Sequence, residues 1–399
     1  MMLFMEWVVM CQGVVWAAPP TDYEGFGAVT RGALDAPGGY EVYHVTSLAD
    51  TIYTPGTLRY ALENHGAGLG AVYIVFDVGG TINLTTNYPI KRSYLTIDGS
   101  TAPYPGITID TRLKDANGTV YSSFDFSIES RSTVGPVHDI IINNLRFIGP
   151  GADFSKDILA IDGTAEPVSN VIIDHVSIDA AGDGIFDMRG EISNVTLSWN
   201  LITGTVVGTA FTGDVFERTR ISMHHNVYAH NTERQPKIKS KTTMVDLVNN
   251  VCYGWSWHEG GGKGLQLEPP DNPSLADPNI YPSANIIGNY YYYVNGVGVD
   301  YWGLKRTNGL NELCIGLIYF EDNIFPDVEN EDYNTSTKLV IPSYAEVTKY
   351  NASTLGDTVV PFVGTHYPTQ EEQNLLDEIS TTISPNQPPI ADAGLDQTI

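Results

Sequence analysis

Short apolar runs, rich in Ile and Val and each ending in a polar residue, recur along the middle of this 399-residue chain. β-Branched residues favour strands, and no helical period runs through these segments. They occupy residues 140–145, 171–176, 195–200, 221–226 and 245–250. The pattern predicts a succession of short buried strands.

An Asn or His recurs at a matched place in these runs. Alignment of Asn144, His175, Asn200, Asn226 and Asn250 gives steps of 31, 25, 26 and 24 residues, and Asn289 and Asn323 follow after 39 and 34. A period near 25 without helical patterning is typical of a solenoid whose turns each supply about three strands. We therefore predict an all-β, right-handed parallel β-helix.

The recurring polar residues have a structural interpretation in such a stack. Asn side chains at equivalent corners can hydrogen-bond from one coil to the next. We assign His175 and His225 to the same ladder, in preference to a catalytic role for either.

Both ends of the solenoid are predicted to carry a helix. Thr57 reads as the N-cap of a short helix over 58–63, which would close the amino-terminal end of the core. Residues 369–379 read as an amphipathic helix lying against the solenoid. Strands over 72–78, 94–98 and 107–110 are expected to begin the stack.

The β-helix domain is predicted to span residues 22–380. Residues 1–18 form an apolar segment ending in small residues, which indicates a secretory signal peptide and an extracellular protein. Residues 381–389 read as a Pro-rich linker, and residues 390–399 resemble the opening strand of an immunoglobulin-like module of the polycystic-kidney-disease-repeat type. No later apolar run is long enough to cross a bilayer.

The chain is strongly acidic, with 21 basic and 47 acidic residues and a formal net charge of −26. This balance argues against nucleic acid as a partner, because phosphates require a field of cations. A polyanionic substrate would need a local positive site or a bridging metal. The cations between Arg234 and Lys241 provide the first of these.

The chain has three cysteines, too few for a disulfide scaffold. Cys11 lies in the predicted leader. Cys252 and Cys314 form either one bridge or two free thiols.

Three aspartates could supply a metal site. Asp183 and Asp187 are four residues apart, and Asp157 precedes Asp183 by 26 residues, about one coil. That spacing stacks the carboxylates on one face, where hard oxygen ligands would suit Ca²⁺. Taken singly, each Asp has the alternative of a solvated loop position.

Several motifs in order resemble the pectate lyases of polysaccharide lyase family one, over roughly residues 24–380. The matching segments are Gly25-Phe26-Gly27-Ala28, Gly56-Thr57-Leu58-Arg59, Ile173-Asp174-His175-Val176-Ser177, Asp183-Gly184-Ile185-Phe186-Asp187, Glu233-Arg234-Gln235-Pro236 and Asn249-Asn250-Val251-Cys252-Tyr253-Gly254-Trp255. The resemblance implies that Asp157, Asp183 and Asp187 hold calcium and that Arg234 is the Brønsted base. It also implies that Lys239 grips a substrate carboxylate, with Lys237 adding to the positive field.

A free guanidinium is a very poor base. Calcium would have to acidify the carbon beside the uronate carboxylate, and neighbouring cations would have to lower the proton affinity of Arg234. An alkaline working pH follows. The alternative is that Arg234 is only a carboxylate clamp.

Two positions depart from the family pattern. Ser155 stands where the family usually has another acidic residue, and Asp153 lies nearby. This departure concerns the affinity for the metal. Gly208 aligns with a substrate-contacting lysine, so one cation is missing.

We expect a secreted, monomeric, calcium-dependent lyase that cleaves polygalacturonate by β-elimination. One alternative is a pectin lyase acting on methylated polymer without calcium, which the three aspartates disfavour. Another is a catalytically weak polysaccharide-binding solenoid, which Gly208 keeps open. A hydrolase would need clustered carboxylic acids that activate water, and the repeat region has no Asp-Asp pair of that kind.

Overall fold

The computed structural model describes residues 22–63, 70–151, 157–181, 183–213, 215–255, 263–270, 281–294, 302–305, 314, 316–325 and 336–384. The predicted signal peptide, the immunoglobulin-like segment and most of the predicted linker lie outside these residues. So do Asp153 and Ser155.

Short strands dominate the described chain. In chain order they are β1 Tyr40–Val45, β2 Ala71–Phe76, β3 Gly80–Asn83, β4 Tyr88–Ile90, β5 Leu95–Asp98, β6 Ile107–Asp110, β7 Arg112–Lys114, β8 Val120–Ser123, β9 Phe126–Glu129, β10 Val137–Asn143, β11 Leu145–Ile148, β12 Ile158–Asp174, β13 Ser177–Asp179, β14 Met188–Ser198, β15 Leu201–Thr203, β16 Phe211–Thr212, β17 Arg218–His224, β18 Val227–Ala229, β19 Lys237–Ile238, β20 Thr242–Val248, β21 Val251–Tyr253, β22 Lys263–Leu267, β23 Ser283–Ile287, β24 Tyr290–Tyr292, β25 Trp302–Lys305 and β26 Leu317–Glu321.

These strands stack into three parallel walls. The middle wall runs β1-β2-β5-β10-β12-β14-β17-β20-β23-β26, and the third wall runs β24-β21-β18-β15-β13-β11-β6-β3. The groove wall contains β4, β9, the first parts of β12 and β14, and β16, and continues through β19, β22 and β25. Among the described strands, only β7 and β8 pair antiparallel. The predicted all-β parallel β-helix is confirmed.

The interior is a continuous apolar core whose layers follow the coil repeat. Ile142, Ile173, Leu197, Met223 and Leu247 occupy one register on successive coils, and each is fully buried. The Ile/Val runs of the sequence fill these inward positions. Each strand packs on the core with one face and pairs with neighbouring coils at both edges, an environment that favours such residues.

The turn between the middle and third walls repeats a left-handed backbone conformation. Its members all have φ between 50° and 63°: Asn144, His175, Trp199, His225, Asn249, Gly288 and Asp322. Left-handed φ is uncommon outside Gly and Asn, so the stacked coils impose it. The register therefore corrects our alignment: Asn144, His175 and His225 lie in this column, one position before the asparagine ladder, so neither histidine belongs to the ladder.

The asparagine ladder itself begins at Asn200. Its side-chain amides connect successive coils at 2.9–3.0 Å through Asn226, Asn250, Asn289 and Asn323. Each carbonyl oxygen in this run also accepts from the preceding coil's main chain. The ladder thus provides hydrogen-bond partners for buried polar groups at a turn, where strand pairing cannot supply them.

A segment at residues 22–36, which we call the strap, lies across the middle wall. The amides of Phe26 and Gly27 donate to Ser222 Oγ and Thr196 Oγ1 at 3.0 and 2.8 Å. A Cβ on Gly27 would lie 2.6 Å from the Val171 carbonyl oxygen. Only glycine allows the strap to approach this closely, which explains its glycines physically.

The helices confirm the predicted ends. α1 Leu58–Glu63 is capped by Thr57, whose Oγ1 accepts from the Tyr60 amide at 3.2 Å. α2 Leu355–Thr358 precedes α3 Gln370–Ile383, which begins with a Thr369/Glu372 capping box. α3 packs on the third wall through Leu376, Ile379 and Ile383.

Single-turn 3₁₀ helices lie at Phe26–Val29, Gly32–Asp35, Gly99–Thr101, Ser343–Ala345, Ala352–Thr354 and Val360–Phe362. No helix within the described ranges has the length and apolar content that a membrane crossing requires. Cys252 and Cys314 are buried free thiols, so the bridge is not formed.

Candidate active site

The three predicted metal-binding aspartates lie at the start of neighbouring strands on the groove wall. Asp157 immediately precedes β12, and Asp187 immediately precedes β14. Ile158 bridges Ile185 in parallel, which aligns Asp157 with the 183–187 loop. The coil repeat thus brings Asp157, Asp183 and Asp187 together.

Main-chain amides and one arginine orient two of these carboxylates. The Gly184 amide donates to Asp157 Oδ1 at 3.1 Å, and the Ala210 amide donates to Asp187 Oδ1 at 3.1 Å. Arg189 Nη2 donates to Asp157 Oδ2 at 2.9 Å. A Cβ at Gly184 would lie 2.5 Å from Asp187 Oδ1, so glycine is required between the aspartates.

Charge repulsion is strong in this cluster. Burial, together with the charges of Asp157 and Asp183, raises the pKa of Asp187 to about 7. Burial also raises the pKa of Asp157, with Asp183 adding to it, although the Gly184 amide and Arg189 oppose the shift. Carboxylates that repel one another in a partly buried site suit a hard divalent cation, so the donor set fits calcium.

The predicted basic residues form a second cluster farther along the same wall. Arg234 has φ of 64°, and its Nε lies 3.0 Å from Glu233 Oε1. Lys237 opens β19, and its Nζ lies 3.9 Å from Glu268 Oε2. Burial lowers the pKa of Lys237, and the positive charges of Arg234 and Lys239 lower it further while Glu268 and Glu233 oppose them.

The two clusters are two coils apart. The Val207 amide donates to the Asp183 carbonyl, and the Glu233 amide donates to the Val206 carbonyl. Asp183 and Glu233 therefore lie two coils apart, with the coil of Val206 and Val207 between them. Neighbouring strands lie about 4.8 Å apart, so the main chains of the two clusters are about 10 Å from each other. The distance is short enough for one small ligand to contact side chains of both clusters.

Glu233 holds the basic cluster together. Its carboxylate contacts Arg234 and, at 3.2 Å, Lys263 Nζ. Although burial opposes it, these two cations lower the pKa of Glu233. Glu233 therefore lies between Arg234 and Lys263 and holds the two side chains close to each other.

Position 208 cannot present a side chain to the groove. A Cβ on Gly208 would meet the Arg234 carbonyl oxygen at 2.7 Å and Tyr228 Cδ1 at 3.2 Å. The space beside Gly208 is thus filled by the Arg234 main chain and by the buried Tyr228 ring. A cation aimed at substrate must therefore come from elsewhere on this wall.

Sequence reasoning missed two such cations. Arg189 lies two residues after Asp187, so strand alternation places both on one face, and counting by two would have found it. Lys263 opens β22, which pairs with β19, but it lies 29 residues after Arg234, outside the 24–26-residue steps of the preceding coils, so counting coils could not have found it.

An open groove of about 340 Å³ extends from the acidic cluster across β12, β9 and β4. Its lining is polar and of mixed charge. The lining residues are Asn87, Pro89, Asp125, Ser127, Glu129, Arg131, Asp157, Ala160, Asp162 and Arg189.

The chain was compared with known proteins. It is 33% identical to a probable pectate lyase C of Emericella nidulans over 345 residues, which are 84% of this chain and 71% of that protein. It is 32% identical to a probable pectate lyase C of Aspergillus flavus over 287 residues, or 71% of this chain. The match spans 56% of the Aspergillus flavus protein.

Solved structures show the same fold at low identity. The cedar pollen major allergen Jun a 1 matches with a TM-score of 0.59 at 18% identity, covering 86% of this chain and 92% of the allergen. A thermostable pectate lyase matches with a TM-score of 0.57 at 15% identity, covering 87% and 98%. No family model matches the sequence.

The identity and coverage of the Emericella nidulans relative, together with a shared parallel β-helix, settle the relationship. This chain belongs to the pectate lyase family.

Proposed function

We propose that the chain is a calcium-dependent pectate lyase that cleaves (1→4)-α-D-galacturonan by β-elimination and releases unsaturated oligogalacturonides. One observation carries the proposal: three mutually repelling carboxylates lie on the same wall as Arg234, with Asp183 and Asp187 two coils before it and Asp157 three coils before it. A metal ion bound by the carboxylates and an anionic substrate bound by the basic side chains would neutralise each other's charge.

Asp157, Asp183 and Asp187 would hold the calcium ion. When bound, calcium would neutralise a uronate carboxylate and make the hydrogen on the adjacent carbon more acidic. Lys239 and Lys237 would hold the same unit through its carboxylate. Lysine lacks the fixed fork of arginine, so this contact would be less directional.

Arg234 would take the proton from C5 of the uronate. The C–H electron pair would form the C4–C5 double bond. The bond from C4 to the glycosidic oxygen would break with its electron pair passing to that oxygen, which would take a proton from water and leave with the departing chain. Arg234 would act as the base only as a neutral guanidine, so we expect an alkaline working pH.

The decisive assay follows ultraviolet absorbance from the unsaturated product when purified protein is mixed with polygalacturonate. Calcium-dependent absorbance, lost with a chelator, supports the proposal. Absorbance only on methylated pectin, independent of calcium, would make the chain a pectin lyase. Reducing ends without absorbance would indicate hydrolysis, and binding without either product would indicate a non-catalytic solenoid.

We also propose that the protein is secreted, as the leader-like residues 1–18 predict. Expression of the full chain followed by N-terminal sequencing of the protein in the medium tests this. Retention of the whole chain inside the cell would contradict it.

A monomer suffices for the proposed reaction, because every residue assigned to it belongs to one chain. Light scattering of the purified protein tests the monomer. A stable larger particle would contradict it.

A further inference from the structure

Three metal-ligating side chains meet on the middle wall, away from the groove. Glu24 belongs to the strap, His224 ends β17, and His225 follows in the left-handed turn. One possible ligand atom from each lies within 4.8 Å of the other two. The strap and the coil are therefore joined by a carboxylate and two imidazoles.

Both imidazoles are buried with unused hydrogen-bonding capacity. His224 and His225 are 1% and 0% exposed, and their Nδ1 atoms lie 2.9 Å apart. Within the described part of the chain, neither Nε2 atom has a hydrogen-bond partner. Buried polar nitrogens without a hydrogen-bond partner destabilise a fold, so the pair calls for a further ligand.

The surrounding residues hold these side chains in place. The His225 ring stacks on Trp199 with centroids 4.3 Å apart and meets Tyr350 edge-on at 5.4 Å. The Glu24 carboxylate accepts from the Thr348 amide at 2.9 Å and from the Thr348 hydroxyl. Such supports orient ligands in metal sites.

We propose that Glu24, His224 and His225 form a binding site for a first-row divalent metal of the Zn²⁺ class. Two imidazoles and one carboxylate are a donor set typical of zinc and unlike the all-oxygen sets of calcium. In a tetrahedral site with bonds of about 2.1 Å, ligand atoms lie about 3.4 Å apart. The present separations, all within 4.8 Å, would have to close by side-chain rotation on metal binding, and a water would supply the fourth ligand.

The bound metal links the strap to β17. Metal bound only by the folded chain stabilises it. This site is separate from the acidic cluster in chemistry and in place, so it does not depend on the proposed lyase activity.

The test uses the full chain, stripped with chelator and then given excess calcium to saturate the acidic cluster. Zinc chloride is the probe, with stoichiometry and affinity measured by titration calorimetry and by metal analysis after desalting. We expect one zinc per chain and a higher melting temperature with zinc. We also expect Glu24→Gln and His225→Gln each to weaken binding by about 10–100-fold.

Two variants serve as matched controls. His138→Gln changes a half-buried histidine of β10 that pairs with Asp139 at 2.7 Å, and it should leave zinc binding unchanged. Asp183→Asn should do the same, and loss of zinc in that variant would place the metal in the acidic cluster. Glu24→Gln keeps an acceptor for Thr348, so it separates metal binding from folding.

Cobalt substitution identifies the ligands. A spectrum without a thiolate-to-metal band supports the histidine and carboxylate set, whereas such a band would assign the metal to Cys252 or Cys314. Absence of retained zinc, or equal zinc binding by the Glu24 and His225 variants, overturns the proposal.

Discussion

Two polar columns run along this solenoid with the same repeat and opposite electrostatic character. In the ladder from Asn200 to Asn323, each amide bonds its neighbours at 2.9–3.0 Å, so the column is neutral and internally satisfied. On the groove wall, carboxylates lie beside carboxylates and raise the pKa of Asp187 to about 7. One column stabilises the fold, and the other retains repulsion that a bound cation would relieve.

The comparison shows why position in a coil does not by itself identify a functional residue. Both columns are polar, buried or half-buried, and repeated at coil spacing. What separates them is whether each polar group finds its partner within the stack. Perturbed ionisation is accordingly the better signal for the site.

The largest expected effect is that of Arg234→Ala on catalysis. If Arg234 is the base, turnover should fall by about 10³-fold, measured as the rate of ultraviolet absorbance increase on polygalacturonate with calcium. Calcium binding should be unchanged, since the aspartates are two or three coils away. Arg234→Lys is the matched variant, and it keeps the charge.

Arg234→Lys also separates base from clamp. A clamp would tolerate lysine with a raised KM and a preserved kcat. If Arg234→Ala itself retains turnover, Arg234 has no role as the base.

The next effect concerns Asp187→Asn, which should weaken calcium binding by about 10–100-fold. The metal-free protein, in contrast, should become more stable when Asp187 is replaced. Because the folded pKa is about 7 against an ordinary 3.8, ionised Asp187 destabilises the fold fully above pH 7 and not below about pH 4. In chelator, the variant should therefore melt higher than the wild type at pH 8 and equally at pH 4.

Melting curves with chelator and with calcium check this expectation. Asp162→Asn is the control, because Asp162 lies on the same wall but contacts Arg189 at 3.5 Å. A lower melting temperature for the Asp187 variant in chelator at pH 8 would contradict the repulsion.

Substitution within the asparagine ladder should lower the free energy of unfolding and leave turnover unchanged. Asn226→Ala removes bonds to Leu197, Asn200 and Asn250, so the free energy of unfolding should fall by about 2–4 kcal/mol. Asn323→Ala, at the partly exposed end of the ladder, should cost less. Denaturant unfolding measures both, and an equal cost at the two positions would refute a cooperative ladder.

The smallest effect is expected for Gly208→Ala. Its Cβ would press on the Arg234 carbonyl oxygen, so we expect about 1–3 kcal/mol of destabilisation and a reduced kcat with unchanged calcium affinity. Gly38→Ala, which has open space around it, is the control. Unchanged kcat in the Gly208 variant would show that the carbonyl contact has no influence on Arg234.

The sequence was sufficient for the fold because the repeat is visible in the identity of buried residues. Ile/Val runs predicted the strands, and Thr57 and Thr369 marked the helix starts correctly. The register was wrong by one at Asn144 and His175, since the turn column is defined by backbone conformation and accepts Asn, His, Trp, Gly and Asp alike. No single residue type in the sequence therefore marks these left-handed positions.

The site was only partly visible for a similar reason. Asp157, Asp183 and Asp187 could be aligned by counting coils, and their proximity agrees with that count. Lys263 follows a longer excursion, so its approach to Glu233 depends on pairing that spacing does not reveal. Glu24 meets His224 across 200 residues, a contact that no local pattern encodes.

The strap changes how the solenoid should come apart. A stack of coils that touch only their neighbours can fray from either end, one coil at a time. The strap holds Thr96 at the Ala33 amide, Thr196 at Gly27 and Ser222 at Phe26, so it ties early coils to later ones. Amide hydrogen exchange across the middle wall should therefore be slow and concerted, and cleavage within residues 22–36 should release the array into gradual, end-first unravelling.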